Sequence, residues 1–77
     1  MIVLIYGTPN CSYCKKAKMY CEQNGINYSY KTVHDDITVE QLSEMVGGPV
    51  RTVPQIFKIS GGLTEYIGGF DQLIERV

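Results

Sequence analysis

The residues best equipped for chemistry lie in "NCSYCKKAK", residues 10 to 18. Cys11 and Cys14 stand two residues apart, and Lys15, Lys16 and Lys18 follow at once. Such a pair can exchange disulfides, supply half of a metal site, or close a small covalent staple. A bridge between residues this close constrains the unfolded chain less than one closing a loop of ~15 residues, which contributes ~3 kcal/mol. The odd cysteine, Cys21, also argues against a secreted disulfide scaffold. The staple is therefore the weakest of the three readings.

A metal site has four nominal ligands in Cys11, Cys14, Cys21 and His34. If residues 12 to 24 form one helix, Cys14 and Cys21 are separated by about 10 Å along its axis. One zinc ion, with Zn–S bonds of about 2.3 Å, does not span that distance. Cys21 then reads as a small buried apolar residue, and His34 as a solvated histidine in a polar loop.

The elements that must position the pair follow from hydrophobic periodicity. "IVLIY", residues 2 to 6, is a short apolar run ended by "GTPN" and predicts a strand buried on both faces. The helix at 12 to 24 carries Cys14, Ala17 and Cys21 on one face, with Gly25 as its C-terminal cap. "INYSYKTV", 26 to 33, alternates as a second strand. "TVEQ", 38 to 41, is a capping box that opens a second helix with an apolar stripe of Val39, Leu42, Met45 and Val46. Gly47-Gly48-Pro49 ends it.

"PQIFKI", 54 to 59, and "LTEYI", 63 to 67, form a hairpin around "SGG". A last helix follows Gly68-Gly69, with Phe70, Leu73, Ile74 and Val77 facing the sheet. The order β-α-β-α-β-β-α predicts a right-handed parallel β-α-β unit closed by an antiparallel hairpin. That is an α/β domain over residues 1–77, a mixed four-stranded sheet with helices on both faces.

Composition narrows the function. A chain of 77 residues, 44% hydrophobic and 19% charged, is ordinary for one small globular domain. Its net charge of −1 gives no nucleic-acid footprint and no attraction to a membrane surface. "MIVLIY" is too short for a span and lacks the flanks of a signal peptide, so a cytosolic protein is expected.

A C-x-x-C beside a β-α-β pattern in such a chain reads as a thioredoxin-like redox motif. Cys11 falls at the predicted helix N-terminus, where unpaired amides and the helix dipole favour an attacking thiolate. The lysines add a field that salt screens. Cys14 lies one turn deeper, on the inward face. The asymmetry predicts that Cys11 attacks a substrate disulfide and that Cys14 resolves the resulting mixed disulfide.

Three separated motifs resemble the glutaredoxin family: "CSYC" at 11 to 14, "RTVPQIF" at 51 to 57, and "IGGFDQL" at 67 to 73. The last is similar in form to phage-encoded members. The resemblance implies a glutathione-dependent thiol–disulfide oxidoreductase, monomeric, acting on protein disulfides and protein–glutathione mixed disulfides. Ribonucleotide reductase is the acceptor that the family suggests. A cis Val53–Pro54 bond is implied beside the thiols, with Thr52 and Val53 pairing with the tripeptide. Gly69, Phe70 and Asp71 would hold its γ-glutamyl end, Tyr13 would border it, and Arg51 would meet its glycine carboxylate.

Three positions depart from the family pattern. Thr8 stands where many members have Lys or Arg, Gln72 where many have Asp, and Ser12 where proline is common. Some C-S-Y-C members assemble a [2Fe–2S] cluster between two subunits using the first cysteine and glutathione, which makes a cluster carrier or sensor, as a glutathione-ligated dimer, the alternative function.

Overall fold

A computed structural model describes residues 1–77. The elements are β1 (Ile2–Gly7), α1 (Ser12–Gln23), β2 (Tyr28–Thr32), α2 (Val39–Val46), β3 (Gln55–Ser60), β4 (Leu63–Gly68) and α3 (Phe70–Arg76). The four strands form one sheet in the order β2-β1-β3-β4. β1 pairs with β2 in parallel and with β3 antiparallel, and β3 pairs antiparallel with β4.

The expected α/β architecture is therefore present. β1 sits between two strands and its side chains alternate between two cores. Val3 and Ile5 join Ala17 and Cys21 of α1, Ile56, Ile67 and Leu73 of α3. Tyr6 points the other way, to Val33, Leu42 of α2 and Phe57. Tyr6 and Phe57 meet edge to face at 5.6 Å between ring centroids.

The helix ends explain themselves locally. α1 closes in a Schellman arrangement: the Ile26 amide donates to the Cys21 carbonyl at 2.9 Å and the Gly25 amide to Glu22. Gly25 takes φ +65°, the left-handed conformation this closure needs. The same closure shortens β2, because the Ile26 amide that would start the strand is already used. At the other end the Val33 amide makes a last bond to the Gly7 carbonyl at 2.8 Å, and Val33 also bridges Ile37. At the start of α2, Thr38 Oγ1 accepts from the Gln41 amide at 3.1 Å, and Gln41 Oε1 accepts from the Thr38 amide at 3.0 Å.

Two residues expected in apolar stripes are exposed. Met45 faces solvent, as does Ile74. In α2, Leu42 with Val39 and Val46 fills the inward face, and Ser43 Oγ accepts from the Val50 amide at 3.2 Å, tying the helix to the loop beyond it. In α3, Leu73 is the one fully buried anchor, with Phe70 and Val77 packed around the same core. Ile74 lies at the margin of that face.

These placements separate substitutions that a sequence stripe treats alike. Leu42→Ala is expected to cost about 2–5 kcal/mol of stability, the ordinary range for a fully buried leucine. Met45→Ala should stay within about 0.5 kcal/mol. Urea unfolding of the two variants measures both.

Candidate active site

β1 ends in Gly7, and the chain turns through Thr8, Pro9 and Asn10 to reach Cys11. Cys11 is the N-cap of α1, in extended backbone conformation, and its Sγ accepts from the Cys14 amide at 3.2 Å. An N-cap satisfies one of the orphan amides of a helix start, and here a sulfur does it. The Cys11 thiol in turn donates to the Val53 carbonyl at 3.6 Å. Cys11 is half-buried, Cys14 has no exposure at all, and both are free thiols.

The inequality between the two sulfurs is thus built into the first helical turn. Burial is the main reason the Cys14 thiol is pushed up to about 11, and the adjacent Cys11 adds to it. Cys21 is also fully buried, inside the larger core, where burial pushes its thiol up as well. It is the apolar filler that its helical spacing implied.

The Val53–Pro54 bond is cis, as the sequence resemblance implied. The turn that contains it is held from behind by Gln55. This glutamine is only 7% exposed; its side-chain amide donates to the Thr52 carbonyl at 2.8 Å, and its Oε1 accepts from the Tyr66 hydroxyl. A buried amide so satisfied is rigid, because releasing it strands polar atoms. Tyr66 is itself packed on Phe57 at 5.3 Å. In sequence Gln55 is one residue of the strand at 54 to 59; a polar side chain between Pro54 and the apolar Ile56-Phe57 is the signal that marks it.

A groove of about 340 Å³ runs between this turn, the start of α1 and the start of α3. Tyr13, Thr52, Val53, Pro54, Gly69, Phe70, Asp71 and Gln72 line it. Seven of the eight sequence-proposed binding residues are therefore brought together. Tyr13 and Phe70 face each other across it at 6.2 Å, and the Lys16 ammonium lies 4.8 Å over the Tyr13 ring. The exception is Arg51. It lines a smaller adjoining cavity of about 180 Å³ with Thr8, Val33, His34, Val39, Val50, Thr52 and Val53. Thr52 and Val53 form the wall that the two spaces share.

Two expected backbone contacts are modified. The Val53 carbonyl, expected to face an extended substrate, accepts from the Cys11 thiol. The Gly69 amide is covered by Gln72 Oε1 at 2.9 Å. The departure at Gln72 thus has a structural reading: it caps α3 from within the groove. The amides of Phe70 and Asp71, in the first turn of α3, have no partner within the helix.

Behind Cys14 stands a group that sequence analysis read only as part of a strand. Tyr30 of β2 pairs with Ile5 of β1 and reaches past the end of that strand. Its hydroxyl donates to the Thr8 carbonyl at 2.8 Å. Gly7 is what makes room. A Cβ there would lie 2.5 Å from the Tyr30 oxygen and 2.6 Å from Cys14 Sγ.

A thiol pair of unequal exposure at a helix start, set in this sheet beside a cis-proline turn, defines a thiol–disulfide oxidoreductase of the thioredoxin-like class. A glutaredoxin family model matches residues 3–62. The chain is 44% identical over 75 residues to a glutaredoxin of Haemophilus influenzae, with 86% of each chain covered. Its structure superposes on reduced Escherichia coli glutaredoxin with a TM-score of 0.80 at 33% identity, covering 97% of this chain and 91% of that one. It also resembles buckwheat glutaredoxin in a glutathione complex, with a TM-score of 0.65 at 28% identity, over 96% of this chain and 66% of that one. The chain belongs to the glutaredoxin family.

The packing at Gly7 gives a test that needs no substrate. Gly7→Ala is expected to cost about 1–3 kcal/mol, the range for overfilling a close-packed site. Thermal or urea unfolding checks it; a neutral effect would mean that Cys14 and Tyr30 move apart freely.

Proposed function

We propose that the chain is a glutathione-dependent thiol–disulfide oxidoreductase that reduces protein disulfides and protein–glutathione mixed disulfides. The observation that carries this reading is the unequal exposure of Cys11 and Cys14, with Cys11 bonded to Val53 of the groove wall. Only Cys11 meets an incoming disulfide. Its thiolate attacks one sulfur, the substrate S–S bond breaks, and a mixed disulfide forms with Cys11. Cys14 then attacks the Cys11 sulfur, the substrate leaves as a thiol, and the enzyme holds a Cys11–Cys14 disulfide. Two molecules of glutathione return it to the dithiol and leave as glutathione disulfide.

Glutathione fits the groove by its chemistry. The Tyr13 and Phe70 rings offer an apolar waist for the cysteinyl part. The Phe70 and Asp71 amides suit the γ-glutamyl carboxylate, and the Asp71 carboxylate suits its amino group. Arg51 suits the glycine carboxylate from the adjoining cavity across Thr52 and Val53. The buckwheat relative, solved as a glutathione complex, supports the same ligand. Ribonucleotide reductase remains the protein acceptor that family resemblance suggests, in a cytosolic setting.

The cluster alternative asks less of each chain. A [2Fe–2S] centre takes four ligands, commonly thiolates. One chain presents a single accessible sulfur, Cys11, since Cys14 and Cys21 are fully buried. A cluster would therefore be held by Cys11 of two chains and two glutathione thiolates, and the absorbance of protein isolated without oxygen would reveal it by visible charge-transfer bands.

Cys11→Ser is expected to reduce turnover of every disulfide substrate to the uncatalysed rate. Cys14→Ser should lose protein-disulfide reduction yet retain activity on glutathionylated substrates, because free glutathione can resolve that mixed disulfide. A glutathione/glutathione reductase coupled assay, run beside a flavin-dependent thioredoxin reductase, reads both variants and identifies the electron source. Glutathione should support turnover and the flavoenzyme should not.

The pH dependence has a definite sign. Burial holds Cys14 protonated through neutrality, so its thiolate fraction rises as pH rises toward about 11. The resolving step should therefore accelerate from pH 7 to 9. Single-turnover release of the second substrate thiol in a rapid-mixing experiment measures it.

A further inference from the structure

The resolving sulfur must become a nucleophile in a place from which water is excluded. Cys14 has no solvent exposure, and its α1 neighbours Ala17 and Cys21 are equally buried. No lysine of the 15–18 run reaches it, because those side chains are exposed on the outer face of α1. The polar groups turned toward its sulfur are Cys11 on its own helix, the Thr8 backbone at the end of β1, and the Tyr30 hydroxyl from β2.

We propose that Tyr30 is a further catalytic residue, whose hydroxyl donates a hydrogen bond to the Cys14 sulfur as Cys14 attacks the mixed disulfide. The inference rests on the proposed role of Cys14 as the resolving thiol. A phenolic hydroxyl has one hydrogen and two acceptor positions, and its hydrogen rotates about the C–O bond. In the dithiol enzyme that hydrogen is given to the Thr8 carbonyl at 2.8 Å. The Cys14 sulfur approaches the same face of Gly7, close enough that one added methyl would strike both atoms. When negative charge develops on Cys14, the hydrogen swings to the sulfur, and the bond becomes charge-assisted. The phenol keeps its own proton, since burial and the charge of Cys14 both raise it, to about 12.

The step balances without an added reagent. The Cys14 S–H and the Cys11–S–S–substrate bond become a Cys11–Cys14 bond and a substrate S–H. The thiol proton ends on the departing sulfur, and Tyr30 is unchanged. Its contribution is to the transition state, where charge is shared along three sulfurs and the innermost has no water.

Mixing reduced enzyme with dithiobis-nitrobenzoate separates the two steps, because each releases one coloured thionitrobenzoate. The first release reports Cys11, and the second reports Cys14. Tyr30→Phe removes only the hydroxyl. It is expected to slow the second release about tenfold, as the loss of a hydrogen bond to a charged group does, and to leave the first unchanged. Equal slowing of both releases would assign Tyr30 a purely structural role, and an unchanged second release would remove it from the reaction; either outcome overturns the proposal. Cys14→Ser run alongside must abolish the second release. If it does not, the resolving role of Cys14 fails first, and the proposal with it. Should Tyr30→Phe not fold, 3-fluorotyrosine at position 30 keeps the shape and strengthens the donor. The second release should then quicken, and a rate that stays the same or falls overturns the proposal.

Discussion

The site depends on one close approach, between the end of β1 and the first turn of α1. Gly7 has no side chain, so Cys14 Sγ and the Tyr30 hydroxyl both come within van der Waals distance of its backbone. That approach sets how deeply α1 seats on the sheet, and hence that Cys14 is buried while Cys11, three residues earlier, is not. Any larger residue at Gly7 would lift the helix start or push the tyrosine away. The difference between the two thiols is therefore a packing property before it is an electrostatic one. Desolvation then converts it into a difference in chemistry.

The other wall of the groove is fixed by polar rather than apolar means. A turn at a site edge is ordinarily mobile, because loops have few buried contacts. Here Gln55 grips the Thr52 carbonyl from inside β3 and is itself gripped by Tyr66 of β4. The hairpin thus does more than complete the sheet: it transmits the position of its strands to the Val53–Pro54 turn. Cys11 adds the last tie, from thiol to Val53 carbonyl, and that tie exists only while the thiol is protonated.

Much of this was legible in the sequence because it follows from periodicity and punctuation. The strand and helix order, the capping box at Thr38 and the stop at Gly25 are local, and each was visible in residues close to it. The motifs at 11–14, 51–57 and 67–73 marked the groove, and seven of the eight residues drawn from them line it. What escaped was set by partners distant in sequence. Gln55 meets Tyr66 across a hairpin, and Tyr30 meets Thr8 across 22 positions. An alternating strand pattern says which way a tyrosine points, not what its hydroxyl finds. Met45 and Ile74 failed for a related reason: a helical stripe predicts a face, but the width of that face depends on how much of the sheet lies beneath it.

The departures from the family pattern take on meaning in this frame. Thr8 gives its backbone carbonyl to Tyr30, and it lines the small cavity with Arg51 and His34. With no basic side chain at position 8, Arg51 is the one arginine or lysine lining that cavity. Gln72 fills its capping place with an uncharged amide, leaving Asp71 as the single carboxylate among the groove residues. Each end of the paired cavities thus carries one formal charge of opposite sign, Arg51 on one side of Val53 and Asp71 on the other. The proposed glutathione suits that polarity: its glycine carboxylate complements Arg51, and at its zwitterionic γ-glutamyl end the ammonium complements Asp71.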